Sequence, residues 1–144
     1  MTENIDQVVV TGSALGIVQD VRAGRHQLRA DEPLAAGGTD EGPDPYALLL
    51  AALGSCTSMT LGMYARRKQI PLESVTVRLR HAKIHAEDCA HCETKLGRID
   101  RIERSIELVG SLTAEQREQL LSIAEKCPVH RTMVSEIDIQ TTLV

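Results

Sequence analysis

Two stretches of this chain alternate apolar and polar residues in the way that predicts strands with one buried face. Residues 73–85 place Val75, Val77, Leu79 and His81 on one side, and residues 98–109 alternate through Ile102, Ile106 and Leu108. Residues 5–32 indicate short strands with a hairpin turn at Ala23-Gly24-Arg25, and residues 137–143 indicate a last strand. The predicted strands therefore lie at both ends of the chain and in its middle.

One segment, residues 45–68, is instead apolar on nearly every side. Asp44 is a suitable N-cap, and Pro45 suits the first helical position, where its missing N–H costs nothing. A helix that is hydrophobic all round is buried, either inside a domain or in a subunit interface. We therefore expect a long, buried central helix.

A second helix is predicted from Thr113, which with Gln116 forms a capping box. It should end near Cys127, because Pro128 disfavours helical geometry in the residue before it. The order strand, strand, helix, strand, strand, helix, strand indicates an α+β fold with a mostly antiparallel sheet covered by two helices. At 144 residues we expect a single domain over 1–144.

Composition narrows the function classes. The formal charge of -4 comes without a basic cluster, and the chain has no Trp or Phe, so neither phosphate neutralisation nor base stacking is favoured and we expect no nucleic-acid partner. The longest apolar run, residues 47–53, is far shorter than a membrane span, and residues 1–16 lack a positively charged leader. We expect a soluble, cytoplasmic protein without a membrane partner.

The four cysteines fall into two kinds of setting. Cys56 and Cys127 lie far apart in apolar helical contexts, whereas Cys89 and Cys92 form a close pair. In a reducing compartment cysteines are more often catalytic, redox-active or metal-binding than structural staples. Free cysteine is also among the most buried residue types, so simple space-filling remains an alternative for the distant pair.

Cys56 needs an activating group if it is a nucleophile, because the thiolate is the reactive form. It lies 11 residues past Pro45, about 16 Å along the helix axis, and the helix dipole fades within the first turn. Activation must then come from a side chain on another element. The candidates are Arg22, Arg25, His81 and His130. Cys127, predicted at a helix C-terminus, should keep its thiol protonated, which suits a resolving thiol.

The close pair Cys89-x-x-Cys92 has the spacing of half a zinc site, and His81, His85 or His91 could add ligands. The flanking Asp88 and Glu93 would repel a thiolate, which argues against a strongly acidic dithiol. A turn without chemistry, a metal site and an auxiliary dithiol or disulfide all stay open here.

Residues 44–56, DPYALLLAALGSC, followed about seventy residues later by Cys127-Pro128-Val129-His130, resemble the two-cysteine signature of the OsmC/Ohr family. The resemblance extends from about His26 onward. It implies an OsmC/Ohr-like fold, an intertwined homodimer, and a thiol peroxidase acting on organic hydroperoxides. Cys56 matches the peroxidatic cysteine and Cys127 the resolving cysteine. We expect no cofactor and assign no metal ligands, and the resemblance implies a dithiol reductant, of lipoyl type or another thiol.

The sequence also departs from the family pattern. Characterised members hold the thiolate with an Arg that is oriented by a Glu, and the matching positions here are Leu15 and Tyr46. A non-catalytic OsmC-like protein that binds a small hydrophobic ligand in the dimer cleft is therefore an alternative. A metal-binding module at Cys89 and Cys92 is another.

Overall fold

The structure is a computed structural model that describes residues 7–144, so residues 5 and 6 of the first predicted strand lie outside the described part. The chain divides into two compact units, residues 1–49 and 50–144. The single domain expected over 1–144 stays a prediction. The described residues form antiparallel sheets and helices, as expected for an α+β fold.

The first unit contains a three-stranded antiparallel sheet in the order β1-β2-β3, formed by Val8–Gly12, Gln19–Ala23 and His26–Ala30. β2 and β3 are joined by a tight turn in which Gly24 has φ 60°, a conformation that favours glycine. The hairpin turn predicted at this position is therefore confirmed.

Asp31, directly after β3, organises the glycine-containing loop that follows. Its carboxylate accepts hydrogen bonds from the backbone N–H groups of Glu32, Thr39 and Glu41 at 2.8, 3.2 and 3.0 Å, and from the Thr39 hydroxyl at 2.8 Å. The largest single effect is the Glu41 backbone hydrogen bond, and together these bonds lower the pKa of Asp31 to about 2 despite its burial. Gly38 is required here, since a Cβ would lie 1.9 Å from the Glu32 carbonyl oxygen.

Helix α1 spans Pro45–Arg67 and begins as predicted. The Asp44 carboxylate accepts the backbone N–H of Ala47 at 2.7 Å, which satisfies one of the free donors of the first turn. One face of the helix is buried within the chain, and its buried residues are Leu53, Gly54, Thr57, Leu61 and Ala65. On another face Met59 and Met63 are 66% and 63% exposed.

By length and composition alone α1 could also cross a membrane, a test that core helices of soluble proteins pass as well.

The second unit is built around a long hairpin of β4, Leu72–His85, and β5, Arg98–Gly110. Helix α2, Ala114–Ala124, begins with the predicted capping box at Thr113. The core of this unit lies where α1 meets α2, and it consists of Leu61, Ala65, Ile70, Leu120 and Ala124. Leu61 and Leu120 are completely buried, and each such side chain contributes about 1.5–3 kcal/mol relative to an exposed one.

Two elements near the C-terminus differ from the sequence prediction. A third helix, α3, spans Pro128–Met133, so Pro128 occupies a first helical position instead of only ending α2. Residues 137–143, predicted as a strand, form no regular element within the described residues. Their apolar side chains are exposed, with Ile137 at 56%, Ile139 at 81% and Leu143 at 101%.

Candidate functional site

Cys56 is positioned by the close approach of α1 to the β4–β5 hairpin. The approach occurs at Gly54, where an added Cβ would lie 2.7 Å from Leu79 Cδ1, so a larger residue would push the helix or Leu79 away. Cys56 follows two residues later and is half-buried. The next residue, Thr57, is completely buried and donates its hydroxyl proton to the Leu53 carbonyl at 2.7 Å.

Cys127 lies between two helices, not at the end of one. It is completely buried, lies three positions after the last residue of α2, and is the N-cap of α3. The prediction that a helix C-terminus holds this thiol protonated is therefore wrong. Pro128 not only follows the end of α2 but also occupies the first position of α3, so Cys127 precedes a helix start.

The environment of Cys127 favours its thiolate. Burial is the largest single contribution and by itself would raise the pKa of the thiol. The opposing hydrogen bonds come from the Cys56 thiol, then from the backbone N–H groups of His130 and Val129, and then from the Thr57 hydroxyl. Together they lower the pKa of Cys127 below its ordinary value. The two cysteines are therefore far apart in sequence but near enough in the fold for Cys56 to lower the pKa of Cys127.

Arg104, on β5, forms hydrogen bonds with two residues that border Cys56 and Cys127. Its Nη1 donates to Thr57 Oγ1 at 3.0 Å, and its Nη2 lies 3.3 Å from His130 Nδ1. The Arg104 side chain is only 11% exposed. A largely buried guanidinium is therefore separated from Cys127 by a single hydroxyl group.

Glu125 and His130 complete the surroundings of Arg104. Because arginine can only donate, the His130 Nδ1 that faces Arg104 must accept, which places the imidazole proton on Nε2. That nitrogen lies 3.1 Å from Glu125 Oε2, and Glu125 Oε1 lies 3.6 Å from Arg104 Nη2. Glu125 therefore contacts the guanidinium and the imidazole at once. Since the Glu125 side chain is 63% exposed, these two contacts contribute more to orientation than to stability.

The candidate activating residues predicted from the sequence have different locations. His130 lies in the site as described. His81 lies on the inner face of β4 and pairs with Asp100 through a 2.8 Å contact. Arg22 lies in β2 and Arg25 in the turn after it, both in the first unit.

Sequence reasoning missed Arg104, Glu125 and Thr57. A signal for Arg104 was present, because it stands between Ile102 and Ile106 in the alternation of β5 and so on the inward face. An arginine in an otherwise apolar register needs a buried partner. Glu125 and Thr57 carry no comparable signal.

A family model described as OsmC-like protein matches residues 38–142. The chain belongs to the OsmC-like family. This match extends over both cysteine motifs, so the resemblance seen in the sequence is confirmed. No curated protein gives a match.

Solved structures of the family share the fold. An OsmC-like protein from Mycoplasma pneumoniae is 16% identical with a TM-score of 0.69, covering 92% of this chain and 89% of its own. An organic hydroperoxide resistance protein from Legionella pneumophila is 21% identical with a TM-score of 0.64, and the match covers 92% of this chain and 90% of that protein. An organic hydroperoxide resistance protein from Elizabethkingia anophelis is 20% identical with a TM-score of 0.65, and the match covers 91% of this chain and 89% of that protein.

The second cysteine pair of this OsmC-like chain is oxidised in the structure. Cys89 and Cys92 form a disulfide with a Cα–Cα distance of 5.5 Å. A disulfide leaves no thiolate to bind a metal, and residues 7–144 assemble no group of three or more metal-ligating side chains. The structure thus gives the metal-binding alternative no support.

Proposed function

We propose that this protein is a cytoplasmic, homodimeric thiol peroxidase that reduces organic hydroperoxides, with Cys56 as the nucleophile and Cys127 as the resolving thiol. The observation that carries the proposal is the contact between a half-buried thiol and a completely buried one whose pKa is lowered. Family membership supports it, since structural neighbours of the chain are named organic hydroperoxide resistance proteins.

Accessibility assigns the two roles. A hydroperoxide can reach Cys56, which is half-buried, but not Cys127, which is 0% exposed. The Cys56 sulfur attacks one peroxide oxygen, the O–O bond breaks, and the thiol proton ends on the departing alkoxide, which leaves as the alcohol. An ionised Cys127 can take the Cys56 proton and pass it to the alkoxide, because the two cysteines interact directly. Cys56 becomes a sulfenic acid.

The lowered pKa of Cys127 serves the second step. An ionised Cys127 attacks the Cys56 sulfenic sulfur, a disulfide forms, and hydroxide leaves and takes a proton from solvent as water. Thiolate is the attacking form, so the backbone and side-chain donors around Cys127 raise the fraction of protein ready for this step. An external dithiol then reduces the Cys56–Cys127 disulfide and completes the cycle.

Arg104 supplies the positive charge that a different arginine supplies in characterised members of the family. It acts through Thr57, which it contacts at 3.0 Å, and it is oriented by His130 and Glu125. We therefore assign Arg104 a positioning role. In this proposal, an arginine and a glutamate from other elements replace the family residues that are missing at Leu15 and Tyr46.

The exposed apolar surfaces support a homodimer. Met59 and Met63 are exposed on α1, and the segment after α3 exposes Ile137 and Ile139. Exposed apolar groups of this kind are typical of surfaces that are covered by a partner. The predicted strand at 137–143 would then form against the partner subunit.

The decisive experiment treats the reduced protein with one equivalent of cumene hydroperoxide and follows intact mass and peptide maps, with hydrogen peroxide in parallel. We expect the loss of two hydrogens at a Cys56–Cys127 cross-link, faster with the organic peroxide. Cys127→Ser should stop at the sulfenic acid on Cys56, and Cys56→Ser should not react. If both distant thiols stay reduced in the wild-type protein, the peroxidase proposal fails.

A binding function is the second candidate, favoured by a groove beside the exposed face of α1. The groove has a volume of about 470 Å³ and is lined by Met59, Met63 and the first residues of β4. A small apolar ligand would fit such a surface. Affinity for a hydrophobic probe that survives Cys56→Ser, together with unreactive thiols, would favour this function over the peroxidase.

A further inference from the structure

The Cys89–Cys92 disulfide lies at the tip of the β4–β5 hairpin, outside the site described above. The strand ladder continues as far as the pair His85 and Arg98, and the Ala86 N–H then donates to the Gly97 carbonyl at 2.8 Å. Ala86 is completely buried, so the base of the loop is anchored. The two cysteines belong to the irregular segment beyond this anchor.

The disulfide is accessible to other molecules. Every residue from 87 to 97 is exposed except the two cysteines themselves, which are half-buried. Exchange requires a thiolate to reach a disulfide sulfur, and buried structural disulfides prevent that approach. At this hairpin tip the approach is open.

The bond contributes little to holding the hairpin together. β4 and β5 are already paired from Leu72 and Gly110 to His85 and Arg98. A cross-link between residues three apart in sequence closes a very short loop, and the effect of a disulfide on the unfolded chain grows with loop length. The structure therefore gives this disulfide no evident structural task.

The charges around the pair determine which way it would react. Asp88 and Glu93 are the immediate sequence neighbours of the two cysteines, and Lys95 is the only Lys or Arg between residues 86 and 97. Nearby carboxylates disfavour thiolates, so the reduced pair lacks the stabilisation that makes some Cys-x-x-Cys disulfides strong oxidants. The reduced pair should then act as a reductant.

The two cysteine pairs are well separated. Arg104 contacts the residue after Cys56, and it lies six positions after Arg98 along β5. At about 3.3 Å per residue this separates the hairpin tip from Arg104 by about 20 Å. Within one chain the pair at the tip reacts independently of Cys56 and Cys127.

We propose that Cys89–Cys92 is a second redox site, which undergoes reversible thiol–disulfide exchange with an external dithiol. One thiolate of the dithiol attacks a sulfur of the pair and a mixed disulfide forms. The second thiol of the donor then displaces the remaining cysteine, so that the donor leaves as a disulfide and Cys89 and Cys92 each gain a hydrogen. The reverse reaction passes two electrons to an oxidised acceptor. This inference does not rest on the peroxidase proposal.

The test follows the redox state of residues 88–93 in the native, oxidised protein by alkylation and peptide mapping during incubation with dithiothreitol. A synthetic peptide of residues 84–99 carrying the same disulfide is the reference. We expect the native pair to be reduced at a rate within about tenfold of the peptide, and to reoxidise with oxidised dithiothreitol. The rate should be unchanged in Cys56→Ser, which separates this site from the first one.

The double substitution of Asp88→Asn with Glu93→Gln tests the electrostatic argument. Removing the two charges should shift the exchange equilibrium about threefold to tenfold toward the dithiol, with the larger shift at alkaline pH, where thiolates form. Glu73→Gln, at an exposed position of β4, is the matched control and should leave the exchange equilibrium unchanged. Reduction more than about a thousandfold slower than in the peptide, or a reduced pair that retains zinc, would overturn the proposal.

Discussion

Thr57→Val tests the centre of the site, because it removes one hydroxyl and nearly preserves the shape of the side chain. The lost oxygen accepts from Arg104 at 3.0 Å and lies against Cys127, and the side chain is completely buried. Hydrogen bonds to charged groups contribute about 1.5–3 kcal/mol, so the free energy of unfolding should fall by about that amount. The interaction with Thr57 is one of those that lower the pKa of Cys127, so this pKa should rise when the hydroxyl is removed.

Urea denaturation measures the first effect, and the ultraviolet absorbance of the thiolate during a pH titration measures the second. Thr60→Val, at a half-buried position of the same helix, is the control. Because Thr57→Val removes an interaction that lowers the pKa of Cys127, the thiolate absorbance of this variant should appear at higher pH than in the control. Identical titrations would refute the argument that Thr57 links Arg104 to Cys127, even if stability fell.

Three further predictions concern activity, pH and packing. Arg104→Gln should lower kcat/KM for an organic hydroperoxide by about tenfold or more in a dithiol-coupled assay, because charged hydrogen bonds are lost. Arg101→Gln, on the exposed face of β5, is the control and should leave kcat/KM unchanged. Equal kcat/KM values for the two variants would exclude Arg104 from the mechanism. Asp31→Asn should be less stable than wild type at neutral pH, and denaturation curves should show the difference vanishing in acid. The pKa of Asp31 falls from 3.8 to about 2 on folding, so its contribution is complete above about pH 4 and is lost as pH falls through about 2; a difference independent of pH would contradict this. Gly38→Ala should lower the free energy of unfolding, measured by heat or urea, by about 1–3 kcal/mol because its Cβ would meet a backbone oxygen. Gly16→Ala, whose Cβ would have nothing within 4 Å, should change the free energy of unfolding little. Similar losses in the two variants would exclude the steric explanation.

The elements that local rules determine could be predicted from the sequence. Asp44 with Pro45 begins α1, and Thr113 with Gln116 begins α2, because capping depends on residues within one turn. The alternation of β4 and β5 placed both strands to within a residue of their ends. These predictions need no knowledge of distant contacts.

The remaining features depend on contacts that the sequence does not display. Arg104 reaches Thr57 across 47 positions, so only the register of β5 hinted at it. Pro128 both ends one helix and begins another, and the sequence argument used only the first property. Residues 137–143 alternate like a strand, but the described chain offers them no neighbouring strand.

The donors that surround Cys127 differ in how easily mutation can remove them. Two of them are the backbone N–H groups of Val129 and His130, which every residue except proline provides. The side chains at these positions can therefore change during evolution without losing this part of the thiolate site. Substitution of Arg104, Glu125 or His130 would therefore leave the two backbone N–H groups at the start of α3 in place.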